Sequence, residues 1–244
     1  MLASWLVAYS LLAVVVGSAV QTMVGAGLSI MCAPIFFQIA PPQVAVQLVI
    51  AVNLIAAGLT ALRTIRSIAL LSTLSIVAPL LAGTLIPLFL PPLPDTVLEI
   101  ALATTLLWIA LRRPHRAIVH DSHIRSLSLI FACVATGSLT VWTATPGPLI
   151  PATLARHGHS GLYISQVMPT VSLVAFGVAF FVAGPPPSSF DTVFAAALAL
   201  ATFIGSLIGY YLRERVPATY AVLFIRAISL LAAAVLLMSA AKRL

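Results

Sequence analysis

The sequence predicts an all-α polytopic membrane protein made of two inverted repeats, each with about five hydrophobic segments. Apolar residues make up 61% of the 244 residues and charged residues only 7%, whereas a soluble domain carries about a quarter of its residues charged. The apolar residues also form runs long enough to cross a bilayer. Finally, the two halves of the chain resemble each other, and the first two segments of each half are broken or re-entrant.

Ten apolar runs define the segments, because about 20 such residues span the hydrocarbon core. The run 144–155 covers only about 18 Å and contains three prolines, so we predict one arm of a re-entrant hairpin, with 23–40 as its counterpart. The first run has no basic residues before it and is interpreted as a retained membrane segment. We predict a first repeat at 1–113, a basic linker at 114–123 and a second repeat at 124–244. The runs lie near 2–22, 23–40, 43–62, 67–90, 96–111, 124–143, 144–155, 161–183, 190–212 and 218–240.

An internal duplication is indicated by residues that recur at a nearly constant spacing. The strongest matches are shifted by 119 residues, and matches on either side are shifted by 120 to 123. One offset that persists through several segments is typical of a duplicated unit. The matching residues are Gln47, Asn53 and Gly58 with Gln166, Ser172 and Gly177; Gly17, Ser18 and Gly27 with Gly137, Ser138 and Gly147; Gly83 with Gly205; and Pro94 with Pro217.

The basic residues predict the orientation in the membrane. The formal charge of +7 lies in short clusters between apolar runs, which favours cytoplasmic loops over nucleic-acid binding. A cytoplasmic loop at 112–125 places Arg63–Arg66, Arg156 and Arg213–Arg215 inside as well, and Asp95, Glu99 and Asp191 at outer ends. Both termini then lie outside the cytoplasm. Only Lys242 and Arg243, at the C-terminus, violate the rule that basic residues lie on the cytoplasmic side. Each half has an odd number of crossings, so the second half is inverted, as in many secondary transporters of a bacterial inner membrane.

Enzymatic chemistry finds no support in the residue pattern. No set of His, Cys, Asp and Glu has metal-ligand spacing, and no Ser-His-acid arrangement lies at one membrane depth, so we expect neither an enzyme nor a cofactor. All five histidines fall in predicted cytoplasmic loops. Cys32 and Cys133 lie inside apolar runs and are interpreted as small buried hydrophobic residues.

The breaks in the first two segments of each half are the first candidates for a binding site. Irregular backbone at membrane depth is tolerated only where it is buried in protein or lines a cavity. A helix that begins at such a break points free N–H groups and its positive dipole end at an anion. Close helix packing through small residues is the alternative. We predict that Gly25, Ala26, Gly27, Thr145 and Gly147 offer backbone groups to an anion.

Polar side chains at mid-depth are the second set of candidates. Asn53 and Ser172 lie about ten residues into their segments, and Gln47 and Gln166 lie near opposite faces of the membrane. Thr170 follows Pro169 and could line the same space. Each side chain could instead form an interhelical hydrogen bond.

Two charged residues also fall within or beside the apolar segments. Arg226 lies about 12 Å into its segment, where it either belongs to the site or extends to the cytoplasmic headgroups. Glu99 is interpreted as an interfacial carboxylate near the outer end. No carboxylate is predicted at mid-depth, so export driven by the membrane potential is a simpler expectation than proton antiport.

The glycine-containing break Gly17…Gly25-Ala26-Gly27…Pro34, the Pro-Pro-Gln-Val-Ala-Val-Gln run at 41–47 and the repeated second half together resemble the sulfite exporter TauE/SafE family. The resemblance covers nearly the whole chain, although the glycine cluster is sparser than is usual for that family. It implies a bacterial transporter of sulfite or of an organosulfonate such as sulfoacetate, with membrane lipids around it.

Two other classes of protein remain open at this stage. An anion channel of the same fold would use the same breaks, and a non-transporting membrane assembly protein would use its small residues only for packing. A homodimer also stays open. An enzyme ranks last, for want of a nucleophile or metal-binding set.

Overall fold

The protein is a bundle of α-helices in a computed structural model that describes residues 4–25, 27–64, 70–90, 93–111, 122–144, 149–156, 158–159, 161–184, 191–213, 215–216 and 218–243. All regular secondary structure within these ranges is helical. A 3₁₀ turn, Ile86–Phe89, extends the fourth helix. The α-helices are α1 (Ser4–Val24), α2 (Leu28–Ile39), α3 (Pro42–Thr64), α4 (Leu70–Leu85), α5 (Asp95–Leu111), α6 (Ser122–Thr143), α7 (Leu149–Arg156), α8 (Gly161–Ala183), α9 (Thr192–Arg213) and α10 (Ala218–Arg243).

This architecture confirms an all-α polytopic membrane protein. Four helices among the described residues are long and apolar enough to cross a bilayer, and further apolar helices accompany them. The described second helices are short in both halves: α2 has 12 residues, within the run 23–40, and α7 has eight, within the run predicted to be too short to cross. At 1.5 Å per residue neither can cross alone. The four long spans are Trp5–Met23, Pro42–Arg63, Gln166–Ala183 and Thr192–Arg213.

Local chemistry explains several of the helix ends. Pro42 is the first residue of α3, where a missing N–H costs nothing and the fixed φ favours the helix. Gly184, at φ +77°, follows the end of α8 as a left-handed cap. Asp191 precedes α9, and its carboxylate accepts a hydrogen bond of 2.8 Å from the Val193 N–H, as an N-cap residue does.

The chain turns back on itself between α1 and α2. A Cβ atom on Gly17 would lie 3.0 Å from Leu28 Cδ1 and 3.4 Å from Met31 Cβ, in the first turn of α2. Gly17 lies seven residues before the end of α1, so α2 must run back alongside it. In the second half, α7 likewise packs against α6. The first break is therefore the turn of a helical hairpin.

The central helices α3 and α8 pack against each other through reciprocal contacts. A Cβ atom on Gly58 would lie 3.8 Å from Leu173, and one on Gly177 would lie 3.9 Å from Leu54. Gly177 and Leu173 follow Gly58 and Leu54 by 119 residues. The helices also share this shift, since α3 spans Pro42–Thr64 and α8 spans Gly161–Ala183. Contacts exchanged in this way are typical of units related by a two-fold axis.

A second pair of equivalent contacts joins the halves at their flanks. α4 packs on α6 and α1 packs on α9. A Cβ atom on Gly83 would collide with the backbone carbonyl of Val134, and one on Gly205 would collide with that of Val15. Val134 follows Val15 by 119 residues, so the two crossings match. Their backbones approach closely because glycine has no side chain at the crossing.

Two contacts define the two ends of the bundle. The guanidinium of Arg63, at the end of α3, lies 4.6 Å from the centre of the Tyr210 ring, near the end of α9. At the opposite end of α3, Gln47 bonds to Ala183 at the end of α8. The arginines of α3 and α9, which the sequence analysis assigns to one side of the membrane, therefore lie at the same end of the molecule.

Candidate functional site

The first break has a defined left-handed geometry. Gly25 adopts φ +81°, and its N–H donates to the Gln21 carbonyl at 2.7 Å, which closes the end of α1. Gly27 adopts φ +142° immediately before α2. Both φ values lie in the region that favours glycine. The backbone conformation therefore accounts for the glycines at these two predicted site positions. Ala26, predicted with them, lies outside the described residues.

Gln21 supplies a side chain to this break that the prediction of site residues missed. Its Oε1 atom accepts a hydrogen bond of 3.2 Å from the Leu28 N–H, the first amide of α2. The Met31 N–H is the first to bond within the helix, to Gly27. Ser29 and Ile30, in the first turn of α2, are both buried. The first turn of a helix directs its N–H groups and its positive dipole end toward the break.

The second break repeats the cap that ends α1. The Ala144 N–H donates to the Thr140 carbonyl at 2.9 Å, and Ala144 adopts φ +53°. Gln21 and Gly25 occupy the same relative positions 119 residues earlier. An alanine in this region costs about 1–2 kcal/mol, so the surrounding packing holds the turn in place. Thr145 and Gly147, the predicted site residues of this break, lie outside the described residues.

Ser172 lies on the same face of α8 as Met168, which packs against the first break. A Cβ atom on Gly25 would lie 4.0 Å from Met168 Cβ, and Ser172 lies one turn further along the same face. Its side chain is buried. Asn53 occupies the equivalent position on α3 and is 1% exposed. Its Nδ2 donates to the Val49 carbonyl at 2.7 Å, whereas its Oδ1 has no protein partner. Asn53 therefore keeps one N–H and one acceptor for another group.

Thr170 has a buried hydroxyl group with no hydrogen-bond partner. Other threonines in the bundle, such as Thr140 and Thr202, donate to the carbonyl four residues earlier. Thr170 is thus one of the few buried side-chain donors that a ligand could use without first breaking a bond. Gln166, one turn before it, is half-buried.

Gln47 has a structural bond and also borders a cavity. Its Nε2 donates to the Ala183 carbonyl at 2.7 Å and so caps α8. Together with Gln43 and Trp142 it lines a cavity of about 260 Å³ at this end of the bundle. Trp142 lies two residues before Ala144, so the cavity extends to the start of the second break. The remaining lining residues are apolar: Val46, Pro87, Leu88, Leu93, Leu98, Val141, Val182 and Ala183.

Arg226 and Glu99 lie apart from the breaks. Arg226 is half-buried on α10, which packs most extensively against α5, and it does not line the cavity. Glu99 lies one turn into α5 and is 1% exposed. The position of Glu99 near the outer membrane interface stays a prediction, and the structure adds that the side chain is enclosed within the helix bundle.

Hydrophobic helices interrupted by left-handed turns, with short second helices and a polar face on two central helices, are typical of polytopic membrane transporters. The chain belongs to the sulfite exporter TauE/SafE family, whose family model matches residues 9–238. Neither the curated proteins nor the solved structures contain a match to it. Membership confirms the resemblance stated from the sequence, and with it a role in transport across a membrane.

Proposed function

We propose that this protein is a secondary transporter that exports a small sulfur-containing anion, sulfite or an organosulfonate such as sulfoacetate, across the bacterial inner membrane. The anion binds between two inverted repeats, at the two breaks and the facing sides of α3 and α8. The observation that carries this proposal is the matched pair of turns at Gly25 and Ala144, each followed by a short helix that folds back.

The contacts between the halves support the inverted repeat. The Gly58–Leu173 and Gly177–Leu54 contacts are exchanged between α3 and α8. An axis that relates two halves with an odd number of crossings lies in the membrane plane, so each break approaches the centre from its own side. Alternating access then follows from a small rocking of one half against the other.

The charges favour an anion that leaves the cell. The described lining of the cavity contains no charged side chain, so an anion there would be held by neutral N–H donors, from Gln43, Gln47 and Trp142 and from helix N-termini. The arginines at one end of the bundle favour a cytoplasmic position for that end. With the interior negative, each negative charge expelled gains about 2.3 kcal/mol per 100 mV.

A panel of anions tests this function. Purified protein in liposomes is loaded with sulfite, thiosulfate, sulfoacetate, taurine or sulfate, and efflux is measured with an imposed inside-negative potential. We expect saturable efflux of at least one sulfur-containing anion, with counterflow of labelled anion when unlabelled anion is present on the opposite side. Saturation without counterflow would favour the channel, and no flux or binding of any anion would reject the transporter.

Replacing Asn53 or Ser172 by alanine is expected to weaken binding of the transported anion. Each variant loses one polar group at a buried site, which corresponds to about 0.5–1.5 kcal/mol, or roughly a twofold to tenfold higher dissociation constant. Thr170→Val removes the partnerless hydroxyl at nearly constant volume and should have a similar effect. The measurement is a binding isotherm or the half-saturation concentration for efflux.

Thr105→Val is the matched control for these variants, because Thr105 lies on α5 and bonds to the Ala101 carbonyl in its own helix. It should bind the anion as the wild type does. If Asn53→Ala, Ser172→Ala and Thr170→Val all retain wild-type affinity, the site does not lie between α3 and α8.

A further inference from the structure

The C-terminal end of α9 carries two tyrosines, and an arginine stacks against each of them. The guanidinium of Arg63, from the end of α3, lies 4.6 Å from the centre of the Tyr210 ring. The guanidinium of Arg215 lies 3.9 Å from the centre of the Tyr211 ring. At these distances a cation is attracted by the face of the ring. All four side chains are exposed, so they form an arginine–tyrosine surface on the outside of the bundle.

Stacking leaves the edges of the two guanidinium groups available to an anion. Their N–H donors point outward in the plane of the group, in the arrangement that binds phosphate oxygens. The carboxylates within the described ranges lie at the other end of the bundle. Asp191 precedes α9, about 28 Å from Tyr210 along the helix, while Asp95 and Glu99 are neighbours of Leu98, which lines the cavity near Gln47. Glu214, next to Arg215 in the sequence, lies outside the described residues.

An exposed apolar stripe on α9 leads directly to this surface. α9 packs on α1 and α3 with one side. On its other side, Leu200, Ile204, Leu207 and Ile208 are between 42% and 60% exposed. Spacings of three and four residues align them with Tyr211 on one face of the helix. The stripe lies within Thr192–Arg213, which is long and apolar enough to cross a bilayer, so acyl chains are its natural surroundings.

The dimensions of this stripe match one leaflet of a membrane. Leu200 and Tyr211 are separated by about 16 Å along the helix axis, which is about half of the hydrocarbon thickness of about 30 Å. Tyrosine favours the membrane–water interface, where its ring faces the acyl chains and its hydroxyl faces the headgroups. Acyl chains beside the stripe therefore bring their headgroup to the level of Arg63 and Arg215.

We propose that the arginine–tyrosine surface binds the phosphate headgroup of an anionic phospholipid. The edges of the Arg63 and Arg215 guanidinium groups donate to phosphate oxygens, and an acyl chain lies along the stripe of α9. Arg63 belongs to the first half of the chain and Tyr210 to the second, so the bound lipid contacts both halves. This site is separate from the breaks and does not depend on which anion the protein transports.

Charge favours a lipid over a second copy of this chain on the same face. Two copies in one membrane share their orientation, so a two-fold dimer through the stripe would have its axis along the membrane normal. Arg63 and Arg215 of one copy would then approach the same arginines of the other, and like charges repel. An anionic lipid supplies the opposite charge and also covers the apolar residues.

Native mass spectrometry of the purified full chain tests the site, because it reports both bound lipid and the number of copies. The probes are dioctanoyl phosphatidylglycerol, dioctanoyl phosphatidylcholine and free glycerol phosphate. We expect phosphatidylglycerol to bind at least about fivefold more tightly than phosphatidylcholine, and Arg63→Gln or Arg215→Gln to weaken it about fivefold. Glycerol phosphate should bind at least about tenfold more weakly than phosphatidylglycerol, because it has no methylene groups to bury.

Two control variants separate this site from general attraction by positive charge. Arg243→Gln removes the same charge at the far end of α10, a helix that begins close to Arg215, and should bind phosphatidylglycerol as the wild type does. Tyr211→Phe keeps the ring and should retain the affinity, whereas Tyr211→Leu should weaken it. All these variants should melt within about 2 °C of the wild type, since exposed substitutions rarely change stability.

Four results would overturn the proposal. The first is equal affinity of Arg63→Gln, Arg215→Gln and Arg243→Gln for phosphatidylglycerol. The second is equal binding of phosphatidylglycerol and phosphatidylcholine by the wild type. The third is binding of glycerol phosphate as tight as that of the lipid, which would indicate a site for free phosphate. The fourth is a dimer that retains no lipid, which would indicate that a second copy covers the stripe.

Discussion

Replacing Gly83 by alanine is expected to lower the melting temperature of the protein clearly. A Cβ atom at this position would lie 2.7 Å from Val134 Cα and 2.8 Å from Val134 C, and closer still to the carbonyl oxygen. Backbone atoms cannot rotate away as a side chain can, so α4 and α6 must separate. Overpacking of this kind costs about 1–3 kcal/mol, which corresponds to roughly 2–4 °C for each kcal/mol in a chain of this size. Thermal unfolding in detergent measures the shift.

The central glycines provide matched controls. A Cβ atom on Gly58 or Gly177 would lie 3.8 or 3.9 Å from the nearest side chain, which is ordinary contact. Alanine also favours a helix over glycine by about 0.5–1 kcal/mol. Gly58→Ala and Gly177→Ala should therefore melt at or above the wild-type temperature. If the melting temperature of Gly83→Ala equals those of Gly58→Ala and Gly177→Ala, α4 and α6 do not cross this closely in the protein.

Replacing Gly27 by alanine is expected to reduce anion efflux more severely than stability. Its φ of +142° is available almost only to glycine, and a Cβ atom would lie 2.8 Å from Val20 Cγ1. The strain of about 1–3 kcal/mol is relieved only if the break changes shape. The N–H groups of Ser29 and Ile30 then lose their alignment, and small misplacements in a site can cost about 100-fold in rate. We expect efflux of sulfite or sulfoacetate to fall at least about tenfold.

Two glycine–alanine exchanges separate this effect from general strain. Gly158 has φ +82°, and a Cβ atom added there would meet no atom within 4 Å, so Gly158→Ala adds strain away from the break and should leave efflux near the wild-type rate. Ala144→Gly removes a left-handed alanine from the second break and should keep the turn and the efflux. Efflux from Gly27→Ala equal to that from Gly158→Ala would show that the first break is not part of the pathway.

Helix positions were largely predictable because lipid imposes a local rule. Each membrane segment must satisfy its backbone hydrogen bonds within itself, so apolar length and flanking polar residues define its limits. The run 161–183 coincides with α8, Gly161–Ala183, and the predicted shortness of 144–155 reappears as the eight-residue α7. The shift of 119 residues, found from Gln47, Asn53 and Gly58, also relates the ends of α3 and α8.

The environment of individual side chains was less predictable, because it depends on residues far away in the chain. Nothing near Glu99 in the sequence shows that it is enclosed, since α10 lies more than 100 residues further along. Gln47 was predicted as a ligand donor, yet it bonds to Ala183, 136 residues away. Gln21 was identifiable only as a glutamine placed just before a break, and its bond to Leu28 requires the hairpin to form.

The sequence by itself determined that this chain lies in a membrane, the approximate positions of its helices and the family to which it belongs. Each of these follows from composition, from the length of apolar runs or from motifs. Tertiary structure alone decided which glycines are steric necessities, how Gly25 and Ala144 turn the chain and that Glu99 is shielded from solvent. These depend on the approach of distant helices, and packing distances of a few ångströms are not encoded in any local pattern.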